Sequence, residues 1–220
     1  MNKYTPKLNF YKKQSKLAKI ITKKGWKLSL SQLNEKADIS RTVEWNEFEG
    51  ATRTESWGDL EQGIYYGQML NGKRDGYGIV YCLNDSRCPL LYECEWNHGV
   101  PTQGRYIMIY CGNTWGKYEG QLSSEYLIDG DGCFQDEDGY QYQGQYKQGF
   151  PDGQGKWDMP NGDCYEGAWQ EDRQHGQGRF TNADGSYHEG EWNNSYQVGV
   201  HKYYSKEGVF IKEQKQVHAR

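Results

Sequence analysis

Large apolar side chains are scarce in this chain. Leu, Ile, Val and Phe supply only 34 of its 220 residues, a share at which a chain without other resources is suspected of disorder. No apolar run approaches the roughly 18 residues that a membrane-crossing helix needs, which excludes that class. The first 30 residues contain no apolar block of secretory-leader length, so no leader is expected. Cys82, Cys88, Cys94, Cys111, Cys133 and Cys164 form no CxxC pair and stand near no paired histidines, so they read as reduced thiols, with one or two disulfides in an oxidising compartment as the alternative, rather than as zinc ligands. No glycine-rich stretch ends in GK[ST] and no GxSxG occurs, which removes the two local signatures of phosphate cradling and of a nucleophile elbow. Disorder does not follow, however. The chain carries 19 Tyr, 8 Trp and 28 Gly, and disordered chains are poor in aromatics. Aromatic rings must therefore supply most of the buried area.

Acid is missing from one end. Residues 1–34 hold nine lysines, no arginine and no carboxylate, and the first acid is Glu35. The remainder has 17 basic and 30 acidic groups, so the formal net charge of −4 conceals two opposed regions. Glycine follows the same boundary, with only Gly25, Gly50 and Gly58 in the first 60 residues. The chain thus divides into a basic head (1–34), a transition (35–63), a glycine- and aromatic-rich body (64–208) and a tail (209–220). Leu17, Ile20 and Ile21 have helical spacing ahead of Lys23-Lys24-Gly25, and Leu28, Leu30 and Leu33 form a second apolar patch. The head, with Lys12, Lys13, Lys23 and Lys24 at its densest points, has three readings. It is a solvated extension, a segment that docks on an acidic surface, or a mitochondrial targeting peptide; the lack of arginine weighs against the last. Anionic lipid would suit the same charge, whereas the acidic body argues against nucleic acid.

The body repeats. Tyr142–Tyr146, Tyr165–Trp169 and His188–Trp192 align without gaps, placing Gly144, Gly167 and Gly190 at intervals of 23. Nine residues after each stands Gly153, Gly176 or Gly199; thirteen after stands Trp157, Phe180 or Tyr203; eighteen after stands Gly162, Gly185 or Gly208. Earlier units at Tyr118, Tyr92 and Tyr65 are looser, with Cys94 in the glycine column and spacings of 24, 26 and 27 residues. The insertions Leu83–Pro89 and Met108–Trp115 predict longer loops. Each unit reads as a β-hairpin with Tyr165, Gly167 and Trp169 on one face. Asp138-Gly139, Asn161-Gly162 and Asp184-Gly185 serve as tight turns. The glycine between two aromatics leaves room for a ring from the neighbouring hairpin. Single hairpins are marginal, so they must stack. The expected core is Gly144, Tyr146, Trp157, Tyr165, Gly167, Trp169, Phe180, Gly190, Trp192 and Tyr203.

These columns closely resemble MORN repeats, in six units covering residues 64–208; His201 departs from the pattern where the second glycine of a Gly-x-Gly pair belongs. The resemblance implies a mainly β fold: an elongated, single-layer antiparallel sheet of stacked hairpins with a groove. It further implies a non-catalytic scaffold without cofactor or metal, of the kind found in ciliary (radial-spoke-type) and cytoskeletal assemblies and, in some members, near membranes. Expected partners are other protein subunits with an acidic surface, or alternatively anionic lipid. The expected setting is the cytoskeleton or axoneme, and otherwise a mitochondrion or the cytoplasmic face of a membrane. Tyr66, Trp96, Tyr118 and Tyr142 are expected to stay exposed for a partner. His98, His175, His188 and His201 are read as exposed or edge residues. The acidic run Asp129, Asp131, Asp136, Glu137 and Asp138 lacks EF-hand spacing and reads as a solvated hairpin edge.

Overall fold

The computed structural model describes Lys23 and residues 37–53, 57–110 and 112–216. The helical segments expected in the head, and Lys12, Lys13 and Lys24, lie outside these residues. The fold is mainly β: an open antiparallel sheet whose fourteen strands follow one another in chain order. Two compact units divide after Leu127, and each has its own construction.

The first unit comprises β1 (Thr42–Phe48), β2 (Gly63–Leu70), β3 (Lys73–Leu83), β4 (Pro89–Asn97), β5 (Val100–Ile109) and β6 (Trp115–Leu122). The transition was not expected to contribute a strand, yet β1 pairs along its whole length with β2, from Thr42↔Met69 to Phe48↔Gly63. Its sequence, TVEWNEF, is rich in β-branched and aromatic residues, which suit a pleated surface. Both faces of this unit are buried. Tyr65 and Tyr66 are successive and so point to opposite faces, and both are enclosed. On one face Tyr92 packs on Tyr106 and Tyr106 stacks on Tyr118, with centroids 4.9 and 4.6 Å apart. Tyr126 closes over Phe48 and Tyr92 at 5.4 Å. On the other face Tyr66, Ile79, Leu91, Ile107, Ile109 and Trp115 form an apolar cluster. The two insertions appear as the loops that join β3 to β4 and β5 to β6. Buried Arg53 ties down the covering segment, donating from Nε to the Gly58 carbonyl at 2.7 Å and from Nη2 to the Trp57 carbonyl at 2.6 Å.

The second unit comprises β7 (Ile128–Asp136), β8 (Gln141–Lys147), β9 (Phe150–Asp158), β10 (Cys164–Gln170), β11 (Arg173–Thr181), β12 (Tyr187–Asn193), β13 (Tyr196–Tyr204) and β14 (Phe210–Gln216). The tail, too, is not free of strand: β14 pairs with β13 from Tyr204↔Phe210 to Gly199↔Gln216. The turns differ from expectation. In the loops with Asn161-Gly162 and Asp184-Gly185 only the glycine has positive φ, and its N–H closes on the carbonyl three residues back, Met159 or Asn182. The two-residue turns lie at the opposite edge, at Gln148-Gly149, Glu171-Asp172 and Asn194-Ser195, with positive φ at both positions as the twist of a tight hairpin requires. Their second N–H groups reach the carbonyls of Ile128, Pro151 and Gln174 at 2.8–2.9 Å. Each turn is thereby stitched to the repeat before it.

Candidate functional site: the two faces of the repeat strands

The glycine columns of the second unit set its geometry. A Cβ on Gly155 would fall on the Tyr142 ring, and one on Gly178 on the Tyr165 ring. The ring that needs this space therefore comes from the first strand of the same repeat, not from the neighbouring hairpin as the sequence suggested. Lying flat, each tyrosine turns its hydroxyl back to the carbonyl three residues on. Tyr142 donates to Gln145 at 3.1 Å and Tyr165 to Ala168 at 3.0 Å; Tyr65 does the same to Gln68 at 2.7 Å in the first unit. Burial pushes the Tyr165 hydroxyl up to about 12, so it remains a donor under all ordinary conditions. The tryptophan of the next repeat then meets the tyrosine edge-on, Tyr142–Trp169 at 5.3 Å and Tyr165–Trp192 at 5.2 Å, a favoured arrangement for ring quadrupoles.

The expected core separates into two classes. Tyr146, Tyr165, Trp169 and Trp192 are buried. Trp157, Phe180 and Tyr203, one column over, are only half-buried. With Phe134, which is parallel to Trp157 at 6.2 Å, they form a partly accessible aromatic stripe. The four rings expected to be exposed are not. Tyr66, Trp96, Tyr118 and Tyr142 are 5, 2, 9 and 1% exposed. Tyr142 is sealed by Trp169, Trp96 by Tyr65 at 5.3 Å, Tyr118 by Tyr106, and Tyr66 by the apolar cluster and by Trp45 at 4.3 Å. Lys23 is exposed.

The opposite face of the second unit carries an arrangement that the sequence reading missed. Lys156, Glu166, Arg179, Glu189, Lys202 and Glu213 are direct cross-strand partners in that order, so their charges alternate from β9 to β14. Arg179 donates to Glu189 at 2.5 Å and covers the Tyr187 ring at 4.3 Å. Opposite charges placed directly across an antiparallel pair stabilise it, and they leave this face nearly neutral. The signal was available: an acid follows Tyr165 and His188, and a base precedes Trp157, Phe180 and Tyr203.

Two further readings change. His188 and His201 are not edge residues; they are 6 and 0% exposed, with their Nδ1 atoms 3.2 Å apart. In the acidic run, Asp136 accepts the Tyr140 N–H at 2.9 Å and so serves its own turn. Among the described residues, His, Cys, Asp and Glu side chains do not gather in groups of three that could hold a metal ion. Cys82, Cys94 and Cys164 are free thiols, and burial pushes Cys82 up to about 12, far from thiolate reactivity.

Comparison with known proteins agrees with the repeat anatomy. The family model for the MORN repeat matches residues 65–87, 142–164 and 165–187; the unit that begins at His188 falls outside these segments. No curated protein matches the sequence. Among solved structures, the E1021V mutant of the TCP10 domain of Danio rerio CPAP is similar at 11% identity, over 76% of this chain and 99% of that one, with a TM-score of 0.25. The chain carries three MORN repeats.

Proposed function

We propose that this protein is a non-catalytic scaffold subunit that docks other proteins along the aromatic side of its second unit, in a cytoskeletal assembly such as a ciliary axoneme. The observation that carries this reading is the stripe of Phe134, Trp157, Phe180 and Tyr203. These rings stay half-buried while the neighbouring Tyr142, Tyr165, Trp169 and Trp192 are sealed. Large rings held in place by a rigid sheet bury much area on contact at low entropic cost, which is why aromatics are enriched at interfaces. The opposite face alternates in charge from β9 to β14 and carries no such aromatic column.

A tagged full-length chain in ciliated cells tests the reading. It should remain with detergent-extracted axonemes, and Trp157→Ala with Phe180→Ala should release it while the thermal transition stays cooperative. Retention unchanged by the double substitution would exclude the stripe, and recovery in the soluble or membrane fraction would exclude the axonemal setting. The second reading rests on the nine lysines of residues 1–34, whose charge suits anionic lipid. Salt-sensitive pelleting of the full chain with phosphatidylserine vesicles, lost when Lys12, Lys13, Lys23 and Lys24 are changed to Glu, would favour a peripheral membrane adaptor instead.

A further inference from the structure

His188 and His201 occupy the two positions held by Tyr165 and Gly178 one repeat earlier, and by Tyr142 and Gly155 two repeats earlier. In those repeats one tyrosine ring spans the glycine pair and bonds the carbonyl three residues on. In the last repeat His201 does that work from the other strand. Its ring lies on Gly190, where a Cβ would meet it. Its Nε2 meets the Glu191 carbonyl oxygen, three residues after position 188, at 2.9 Å. Two imidazoles have replaced one phenol and one empty position.

The replacement fixes every proton. A carbonyl only accepts, so His201 Nε2 carries hydrogen, and in the neutral ring its Nδ1 is bare. That Nδ1 accepts from His188 Nδ1–H at 3.2 Å. His188 Nε2 is then bare in turn and accepts from Gln197 Nε2 at 3.3 Å. The Gln197 oxygen receives Gln216 Nε2 of β14 at 2.8 Å and the Tyr203 hydroxyl at 3.4 Å. The donors therefore run in one direction, from β14 through β13 and β12. A proton added to His188 Nε2 would face the Gln197 amide N–H, and one added to His201 Nδ1 would face His188 Nδ1–H. Either collision of donors is relieved only if Gln197 turns, which breaks its bond to Gln216.

We propose that the His188–His201 pair is an acid-operated latch, which holds β14 on β13 while His188 is neutral and loosens it when His188 takes up a proton. Among the described residues no buried carboxylate stands beside the pair to balance the added charge; His188 is faced instead by the rings of Phe180, Trp192 and Tyr203 at 5.5, 5.7 and 5.0 Å. On β12, Glu189 is engaged by Arg179 of β11 and Glu191 is exposed. β11 presents the Phe180 ring at 5.5 Å. On β13, Lys202 is exposed and Tyr203 gives its hydroxyl to Gln197 and lays its ring 5.0 Å from that of His188, while β14 brings the Lys212 ammonium to 4.8 Å from the Tyr203 ring centre. Burial first, and the neighbouring His201 second, lower His188 to about 4. An unfolded histidine titrates near ~6.5. Between the two values the unfolded chain binds a proton that folded His188 refuses, so the contribution of His188 is complete above ~6.5 and is lost as pH falls toward 4.

Hydrogen exchange on the full chain, compared at about pH 7.5 and about pH 5 after correction for intrinsic rates, reads the latch directly. Amides of β13 and β14 should lose protection by roughly tenfold at the lower pH while those of β9 and β10 hold. The double substitution H188Y/H201G restores the tyrosine–glycine pair of the earlier repeats and should abolish that acid response. Q197E supplies a carboxylate that accepts from a protonated His188 Nε2, and should keep β14 protected in acid. Loss of protection that persists in H188Y/H201G overturns the proposal. Should that variant fail to fold, an unchanged acid response in Q197E overturns it equally.

Discussion

The two units of this protein solve one packing problem in opposite ways. The second repeats a 23-residue unit strictly, and this strictness commits one face to charge. The positions that alternate with its aromatics are Lys156, Glu166, Arg179, Glu189 and Lys202, which hold the strands in register but bury little. Its core is accordingly one-sided, and rings such as Trp157 and Phe180 remain half-buried. The first unit gives up the period. At the corresponding positions it places Tyr66 and Ile79, and where it keeps a charged pair, Glu93 with Arg105, it flanks them with Leu91 and Ile107, all four apolar residues buried; it closes its aromatic face with Phe48, Arg53 and Tyr126. Regularity thus yields an extendable surface, and irregularity yields an enclosed core. The same tyrosine-on-glycine cradle serves both, at Tyr65 over Gly67 and Gly78 and at Tyr165 over Gly167 and Gly178.

That contrast can be broken most sharply with tryptophan. Trp96→Ala in the first unit should cost about 4–5 kcal/mol, near the upper end for truncating an enclosed aromatic. Trp169→Ala in the second, where the ring is 9% exposed and packs from one side, should cost about 3 kcal/mol. Denaturant titration followed by tryptophan fluorescence and by circular dichroism separates the two values. Equal costs would mean that the open face is as well packed as the closed one.

Charge gives a second and smaller contrast. Arg105 pairs with Glu93 in the first unit, their side chains 18 and 11% exposed, and burial raises the Glu93 carboxyl above its ordinary range despite the arginine. Arg105→Met should leave that carboxyl buried without its cation and cost about 3 kcal/mol. The equivalent loss in the second unit, Arg179→Met, removes a pair whose members are 49 and 42% exposed, and should cost less than about 1 kcal/mol. Melting curves of the two variants in low and high salt test this. Only the Arg179 variant should approach its parent as salt rises.

What the sequence disclosed follows the range of the forces involved. The cradle, the aromatic columns and the period depend on residues within one repeat and were legible. β1 and β14 were not, because TVEWNEF and FIKEQKQ lack the tyrosine–glycine motif and are strands only because β2 and β13 offer them an edge. The burial of Tyr66, Trp96, Tyr118 and Tyr142 was also missed. Treating the body as one-sided everywhere hid the significance of the apolar residues at alternate positions in β2 to β5. His188 and His201 were read one at a time, whereas their meaning lies in the register that sets them side by side. The half-buried stripe has the same origin. Composition says that Trp157 is large, and only the sheet says that it stays half-buried against Phe134 and Tyr140 where Trp169 seals Tyr142.

The smallest effect concerns the tight turns. In the first unit both two-residue turns, Asn71-Gly72 and His98-Gly99, place glycine second; in the second unit Gln148-Gly149 does so, while Glu171-Asp172 and Asn194-Ser195 do not. Asp172 sits at φ 66°, where a side chain costs on the order of 1 kcal/mol. Its N–H bond to the Pro151 carbonyl at 2.9 Å is a backbone contact that glycine would keep. Asp172→Gly should therefore relieve strain at the price of extra freedom in the unfolded chain, for a net stabilisation of about 0.5 kcal/mol and an upward shift of the thermal midpoint by roughly 1–2 °C. Asp172→Asn tolerates the same backbone and removes only the charge, so the difference between the two variants isolates the conformational part. If glycine proves no better than asparagine, the strain at this turn is already relieved by its stitch to the preceding repeat, and the second unit gives up nothing by departing from the turn chemistry of the first.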